Sequence, residues 1–424
     1  MCNRIIDFFT TSNLLSKTQH GYQKGKSCQT AIFQFTQNII EALEKSEVAM
    51  ALFFDLTKAF DCLDHFILLD KLERYGIRGP ALAWFESYLS DRKQFVRVDK
   101  EGETGLSEIR TIDTGVAQGG VAGPLLLIVY LNDIAEILEE TDCFSLTNYS
   151  DDTNILIRQK LFPDLLNSAG NILKQMKEWF SSNKLFLNDE KTNAMIIRTN
   201  RPGYALPTEI VLNKEKMKLT NSTKFLGMTL DCCLSWNCHV EETIDKLNRV
   251  SYCIRILRRY VDDITIKMVY HANFESVFRY GIVFYGNSRD IKQIFVVQKR
   301  VIRTMAGIGY RESCRGHFRR AKILTLSGVY IQECLLFFYK NRELFKEYEP
   351  QNVYETRTNN YSYPIHHLTM TKKTALYSCL RLFNRLPNKI KIAGPINRFK
   401  KEVHTLLMDL EPYTVEEYLL GRLA

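Results

Sequence analysis

The sequence has no long hydrophobic run. Its longest apolar stretch, Pro124 to Leu131, is far shorter than the roughly 20 residues that a membrane-spanning helix needs. The N-terminus, Met1 to Phe9, lacks the charged-then-apolar order of a signal peptide. These absences argue against a membrane partner and against secretion, and we expect an intracellular protein of the nucleus or the cytoplasm.

The sequence also lacks the regularly spaced cysteines of a disulfide framework. Its 11 cysteines are an odd number scattered over 424 residues, which is typical of reduced thiols. Neither charge sign is scarce, because 57 Lys and Arg face 48 Asp and Glu, giving a net charge of +9. This modest excess favours a polyanionic partner without establishing one.

Two adjacent carboxylates, Asp151 and Asp152, stand between two short apolar and β-branched segments. The pattern predicts a hairpin whose turn carries both acids. Placing two like charges side by side is unfavourable unless a cation neutralises them. Because neighbours on a strand point to opposite faces, we expect one of the two, Asp151, to aim straight at a shared site.

A second carboxylate is offered by Asp55, which ends the buried-strand run Ala49 to Phe54. Acids on adjacent strand ends can hold two divalent cations about 3.5–4 Å apart for in-line displacement at phosphorus. Carboxylates with spare water positions suit Mg²⁺. The alternative is an ordinary hairpin turn at Asp151-Asp152 and a helix cap at Asp55.

The segment Tyr149-Ser-Asp-Asp152 resembles the Tyr-x-Asp-Asp box of reverse transcriptases, and its surroundings resemble non-LTR (LINE-type, jockey-like) retrotransposon enzymes. Further blocks recur in the order of that family. They are Gln19–Ser27, Phe54–Asp61, Gly115–Leu125, Leu187–Thr192, Phe225–Gly227, Gln298–Arg303 and Leu382–Pro387. The resemblance therefore covers nearly the whole chain.

The resemblance implies roles for individual residues. Asp55, Asp151 and Asp152 would be catalytic and would bind two Mg²⁺ ions, for which Mn²⁺ is a possible substitute, and Lys191 would assist the leaving pyrophosphate. The expected nucleotide-binding residues are Leu56, Phe60 as a gate against the 2′-hydroxyl, Gln118 and Gly119. The expected template and primer contacts are Lys24, Lys26, Gly227, Lys246 and Arg249.

The chain departs from the family at three positions. Gln23 stands where an Arg is usual, Ala117 where a Pro is usual and Gly120 where a Ser is usual. The first change removes some of the anion-binding capacity of the basic loop. A solvated surface loop is an equally good interpretation of this segment. The other two predict a looser Gly115–Gly123 loop, because glycine loses more entropy on ordering.

The order of predicted elements indicates an α+β fold. By resemblance it is a right-hand polymerase palm, an antiparallel sheet with packed helices, followed by a mostly helical thumb and C-terminal region. We expect residual fingers and a basic loop over 1–28, the palm over 29–236, a helical thumb and connection over 237–348, and a linker with a helical tail over 349–424. By comparison with the family, most of the fingers and the N-terminal endonuclease are missing, which suggests part of a longer polyprotein.

The function that this pattern favours is RNA-directed DNA synthesis from a DNA primer on an RNA template, using deoxynucleoside triphosphates. One alternative is a degraded or incomplete remnant that only binds nucleic acid. Another is a palm-type nucleotidyl transferase that acts on free nucleotides and would not need a basic helical thumb.

Overall fold

The computed structural model describes residues 2–100, 103–138, 143–198, 208–350, 360–392 and 394–421. The chain divides into two compact units, Met1–Asn221 and Ser222–Ala424. The finer domain boundaries predicted after residues 28, 236 and 348 remain predictions.

The first unit mixes helices and strands. Its helices are α1 (Cys2–Thr11), α2 (Cys28–Glu44), α3 (His65–Arg74), α4 (Pro80–Leu89), α5 (Ala122–Leu131) and α6 (Phe162–Ser182). Its strands are β1 (Val48–Phe54), β2 (Arg92–Gln94), β3 (Arg97–Lys100), β4 (Glu103–Leu106), β5 (Arg110–Ile112), β6 (Phe144–Tyr149), β7 (Asp152–Gln159), β8 (Asn193–Ile197), β9 (Glu209–Leu212) and β10 (Glu215–Lys218).

The centre of this unit is a four-stranded antiparallel sheet in the order β6-β7-β1-β8. Alternate residues of β1 face opposite sides of the sheet. On one side Phe53 packs against Phe35 of α2, with ring centroids 5.7 Å apart. On the other side Phe54 packs against Phe180 of α6 at 6.0 Å. The buried apolar residues of β1 are therefore used on both faces, and the α+β prediction is confirmed.

Local sequence signals explain where several helices begin. Ser27 and Thr30 form a reciprocal capping box at the start of α2, which satisfies backbone N–H groups that a helix start leaves unpaired. Pro80 occupies the first turn of α4, where its missing N–H costs nothing. Ile5 and Phe9 of α1 are buried in the same core as the sheet, so residues preceding the basic loop are part of this unit.

One predicted hairpin differs in its pairing. The alternating polarity of Gln94–Val98 and Glu108–Ile112 predicts that these two segments form a hairpin. Instead β2 pairs with β5, and β3 pairs separately with β4. The ladder is interrupted where the hydroxyl of Ser107 accepts a hydrogen bond from the backbone N–H of Val96 at 2.8 Å. A side chain there takes a place that a strand backbone would otherwise fill.

The second unit opens with the strands β11 (Ser222–Phe225) and β12 (Met228–Asp231), and the other regular elements in its described residues are helices. Its helices are α7 (Asn237–Leu257), α8 (Asp263–Val269), α9 (Ser276–Arg279), α10 (Ile282–Tyr285), α11 (Ile291–Ala306), α12 (His317–Ala321), α13 (Leu326–Lys340), α14 (Ala375–Arg385), α15 (Asn388–Lys391), α16 (Ile396–Leu410) and α17 (Val415–Leu420). A π-helical turn, Tyr270–Glu275, connects α8 to α9.

The run Ser222–Leu230 has the composition of a single strand, but this prediction is wrong. Leu226 and Gly227 both have positive φ, 47° and 77°, which reverses the chain in a two-residue turn and makes the segment a hairpin. Part of the predicted linker, residues 351–359, lies outside the described residues, and residues 360–370 contain neither helix nor strand. Among the described helices, none combines the length and the apolar character that crossing a bilayer would require.

Candidate active site

The structure brings Asp55 next to the turn that carries Asp151 and Asp152. In the antiparallel pair of β1 and β7, Phe54 lies opposite Thr153. Asp55 follows Phe54 and Asp152 precedes Thr153, so the two acids continue the same register at one end of the sheet. Asp151 occupies the turn between β6 and β7. Residues almost 100 positions apart in sequence are neighbours because two central strands are paired.

The surroundings of Asp152 change the pKa of its carboxyl group. Desolvation by the surrounding protein, together with the negative charges of Asp151 and Asp55, raises the pKa of Asp152 to about 6. Asp55 and Asp151 are half-buried, whereas Asp152 retains exposed surface. Crowding like charges in this way is unfavourable unless a cation compensates them.

The donor chemistry of this cluster fits hard divalent cations, since all three side chains offer carboxylate oxygens. In the described part of the chain, however, no set of three or more His, Cys, Asp or Glu side chains has the geometry of a ready-made metal site. The structure therefore supplies suitable donors at one place without a preformed ligand cage.

The segment that carries Lys191 is fixed directly to Asp55. The backbone N–H of Asn188 donates to the carbonyl oxygen of Asp55 at 2.8 Å, and the Asp55 N–H donates to the hydroxyl of Thr192 at 3.4 Å. Between these anchors, the ammonium of Lys191 lies 3.4 Å from Asp55 Oδ2. The sequence-predicted Lys191 thus stands at the acidic cluster, where its charge offsets part of the repulsion.

A residue that sequence reasoning did not select, Gln19, holds the acidic turn. Its side chain is 3% exposed. Its Oε1 accepts hydrogen bonds from the N–H of Ser150 at 2.9 Å and of Gly21 at 2.8 Å, and its Nε2 donates to the Ser150 carbonyl at 3.3 Å. Ser150 has a φ of 58°, a left-handed conformation that is costly for a residue with a side chain. Gln19 stabilises that conformation from 131 residues away.

The segment around Gln19 also extends the sheet. The His20 N–H donates to the Asn148 carbonyl at 2.7 Å, and the Asn148 N–H donates to the Thr18 carbonyl at 2.9 Å. A β-carbon at Gly21 would lie 2.5 Å from the backbone nitrogen of Ser150, so only glycine fits there. The order Gln19-His-Gly21 within a resembling block was the available signal, but a sequence does not say which way a side chain points.

The predicted nucleotide-binding residues lie in two contacting segments. Leu56 is buried and forms an isolated bridge with Leu187. Phe60 is half-buried in a short 3₁₀ turn, and its carbonyl accepts from the Val116 N–H at 2.8 Å. The exposed Gln118 side chain donates from Nε2 to Asp61 Oδ1 at 3.4 Å. The Gly115–Gly123 loop is therefore joined to the segment that follows Asp55.

This loop is tight at its base and open at its tip. Gly115 has a φ of 82°, and a β-carbon there would lie 2.8 Å from the Cα of Asp61. Gly119 has nearly the same φ, 81°, but a β-carbon there would meet no atom within 4 Å. Space is thus available beside Gly119 in the direction where a side chain would project.

The predicted template and primer residues have different environments. Lys24 is exposed. Lys26 instead donates from Nζ to the carbonyls of Lys17 at 2.6 Å and Gln19 at 2.8 Å, and desolvation lowers its pKa to about 8. Lys26 therefore braces the loop that positions Gln19.

The remaining three predicted contacts belong to the second unit. Lys246 and Arg249 are exposed on α7. Gly227 lies at the hairpin tip against the ring of Tyr280, and the Tyr280 hydroxyl donates to the Leu226 carbonyl at 2.6 Å.

Comparison with known families finds one match that covers more than half of the chain. Residues 1–230 match the model of the reverse transcriptase (RNA-dependent DNA polymerase) family. The chain belongs to this family.

Curated relatives come from mobile elements of flies. The chain is 26% identical over 321 residues to the probable RNA-directed DNA polymerase from transposon BS of Drosophila melanogaster, covering 73% of this chain and 34% of the relative. It is also 26% identical over 337 residues to the RNA-directed DNA polymerase from mobile element jockey of the same species, covering 76% and 36%. The chain thus spans about a third of the length of these relatives.

Solved structures give a weaker likeness. Telomerase from Candida albicans, in complex with a fragment of telomeric RNA, is matched with 12% identity and a TM-score of 0.41 over 95% of this chain and 57% of that one. Apo telomerase from Candida tropicalis is matched with 14% identity and a TM-score of 0.39 over 81% and 59%.

Proposed function

We propose that this chain catalyses RNA-directed DNA synthesis, transferring deoxynucleotides to a primer 3′-hydroxyl on an RNA template, as an enzyme of a non-LTR retrotransposon. The observation that carries the proposal is the meeting of Asp55 with Asp151 and Asp152 at one end of the β1–β7 pair. Membership of the reverse transcriptase family and similarity to fly RNA-directed DNA polymerases support it.

Asp55, Asp151 and Asp152 would hold two Mg²⁺ ions, with Mn²⁺ as a possible substitute. When bound, such a pair lowers the pKa of the attacking hydroxyl and neutralises charge on the triphosphate. The chain's own contribution is to present three carboxylates from two paired strands and one turn. Gln19 keeps that turn in its left-handed conformation.

Other residues would position the reactants. Lys191, fixed beside Asp55, would screen the leaving pyrophosphate or donate a proton to it. Phe60 and Gln118 would contact the incoming nucleotide near Leu56, and the open space beside Gly119 would admit the nascent base pair. Lys24, Lys246 and Arg249 expose cations for phosphate contacts, which position a strand without reading its sequence. Lys26 and Gly227, the other two predicted template and primer residues, would shape the protein backbone near the bound template and primer strands.

We further propose an intracellular setting, nuclear or cytoplasmic, and a longer parent polyprotein that includes an endonuclease. The described cysteines are all free thiols, which supports a reducing environment.

The test is primer extension on a primed RNA template with Mg²⁺, comparing the unmodified chain with Asp151→Asn. Removing one preorganised hydrogen-bond donor that stabilises a transition state commonly reduces the rate about 10²–10³-fold. For a catalytic carboxylate we expect a decrease of at least that order while RNA binding persists. Asp164→Asn is the matched control, because Asp164 is exposed in the first turn of α6. Unchanged synthesis by Asp151→Asn would refute the assignment.

The same assay separates the alternatives. Salt-sensitive RNA binding without any incorporation by the unmodified chain would favour the remnant. A product whose sequence and yield do not depend on the template would instead favour a transferase acting on free nucleotides.

A further inference from the structure

The second unit contains a polar pocket of about 680 Å³ beside the C-terminal end of α14. Short stretches from separate parts of this unit line it. They are Asn360 and Tyr363, Arg381 with Asn384 and Arg385, Leu386 to Asn388 with Lys391, and Leu419 with Leu420. Among these described lining residues none is acidic. The pocket includes most of the Leu382–Pro387 block, to which the proposed polymerase chemistry assigns no role.

The cations of this pocket lack carboxylate partners in the described part of the chain. Arg385 donates from Nη2 to the Gly421 carbonyl, while its Nε is buried without a hydrogen-bond partner. Lys391 donates only to oxygens of neutral groups, the Asn384 carbonyl at 2.9 Å and Asn360 Oδ1 at 3.2 Å. Arg381 is exposed at the rim. Concentrated positive charge without compensation favours an anion.

The neutral groups of the pocket suit the rest of a nucleotide. The Asn384 side chain accepts from the Tyr361 N–H at 2.8 Å and donates to the Tyr361 carbonyl at 2.9 Å, which fixes the segment that carries Tyr363. The Tyr363 ring stacks on Tyr377 with centroids 5.0 Å apart and is 43% exposed. An exposed, supported aromatic ring beside arginines is the arrangement that stacks a base while cations hold its phosphate.

We propose that this pocket binds one phosphate-bearing nucleotide unit of single-stranded RNA, outside the polymerase site. Its volume lies within the range of about 300–1,000 Å³ of small-ligand sites. Arg381 and Arg385 contact the phosphate, Asn388 offers an amide to the sugar or base, and Tyr363 stacks on the base. An acidic peptide would satisfy the cations but would leave the Tyr363 face without a planar partner, so a nucleotide fits the observations better.

The test measures binding of a short fluorescein-labelled single-stranded RNA to the full chain by anisotropy, at several salt concentrations. Arg381→Glu should weaken binding about tenfold and reduce the salt slope by about one. Lys389→Glu is the matched control. Lys389 is exposed in the same region but does not line the pocket, and its replacement by Glu changes the charge by the same amount. It should weaken binding less than about threefold.

A second pair of variants tests the stacking contact without changing charge. Tyr363→Leu should weaken RNA binding severalfold. Tyr363→Phe should bind RNA as the unmodified chain does, since the ring and not the hydroxyl stacks on the base. Asp164→Asn, an exposed change in α6, should leave all these affinities unchanged. Because the readout is equilibrium binding and not synthesis, failure of the polymerase assignment would not affect the result.

Competition distinguishes the sources of the nucleotide. If free adenosine monophosphate fails to displace the RNA, the pocket takes a strand; if it displaces RNA from the unmodified chain but not from Arg381→Glu, the pocket takes a free nucleotide. Equal effects of Arg381→Glu and Lys389→Glu would overturn the proposal. So would displacement of RNA by polyglutamate that depends on Arg381, because the pocket would then bind acidic peptide.

Discussion

The acidic turn and the glycine-rich loop, both in the first unit, are built on opposite principles. The turn at Ser150 to Asp152 is buried on one side and held by two hydrogen bonds between the Gln19 side chain and the Ser150 backbone. The loop from Gly115 to Gly123 is held at its base by the Gly115 N–H to the Leu63 carbonyl at 2.7 Å and the Val116 N–H to the Phe60 carbonyl at 2.8 Å. Nearer the tip, Gln118 adds one long hydrogen bond to Asp61 at 3.4 Å. Beyond that base its tip is exposed.

This difference separates two requirements of the proposed chemistry. Carboxylates that hold cations must be kept in place against their own repulsion, and a buried amide can do so from a distant part of the chain. A segment that admits successive nucleotides must leave space, and positive-φ glycines provide a backbone without side chains. We therefore expect substitutions of Gln19, which holds the acidic turn, to affect stability and rate together. Substitutions at the loop tip should affect nucleotide use alone.

The largest effect in this comparison should come from Gln19→Leu. It leaves the buried N–H groups of Ser150 and Gly21 without acceptors, at a cost of about 1–3 kcal/mol each. We expect a lower free energy of unfolding, measured by urea denaturation, and at least a tenfold lower rate of primer extension, because a 1.4 kcal/mol change at the site corresponds to about tenfold.

Gln23→Leu is its control, since the half-buried Gln23 side chain makes one long hydrogen bond, to the Ser16 carbonyl at 3.4 Å. Equal losses of rate in the two variants would show that Gln19 has no special relation to the turn. Methionine at position 19 should not restore activity, because it supplies no comparable acceptor.

A smaller effect is expected from Gly115→Ala, and a smaller one still from Gly119→Ala. Both place alanine at nearly the same positive φ, which costs about 1–2 kcal/mol in each case. Only at Gly115 does the new β-carbon meet the Asp61 backbone, and overpacking of this kind adds about 1–3 kcal/mol. Urea denaturation should rank Gly115→Ala as the less stable variant.

Nucleotide kinetics extend this comparison. Gly119→Ala should raise the KM for deoxynucleotides with little change in kcat, because it adds bulk where the incoming nucleotide is proposed to bind. If Gly119→Ala destabilises the protein as much as Gly115→Ala does, the tip is not open in the way that the structure describes.

Much of the fold could be predicted from local patterns. The helical spacing of apolar residues predicts helices over Gln29–Lys45 and Pro163–Lys184, within two residues of the observed ends of α2 and α6. The apolar run before Asp55 is a central strand. The order of acid-bearing segments was sufficient to predict that Asp55 and Asp151 share a site, because family blocks constrain which strands pair.

Other features depended on information that no local pattern contains. The hydrogen bonds between Gln19 and Ser150 join residues 131 positions apart, through a side chain whose direction is set by packing. Lys26 was expected to contact phosphate, yet its ammonium binds two backbone carbonyls. The run Ser222–Leu230 has the composition of a strand. A turn interrupts it because Leu226, a bulky residue, adopts positive φ together with Gly227.

The central claim, that Asp55 and Asp151 form one cation site, is tested most directly by titrating the full chain with Mn²⁺ and following free Mn²⁺ by electron paramagnetic resonance. Asp55→Asn, Asp151→Asn and the double variant complete a double-mutant cycle. We predict that each single variant loses most of the tight Mn²⁺ binding and that the double variant loses little more. Independent, additive losses, or tight binding that survives either substitution, would contradict the account.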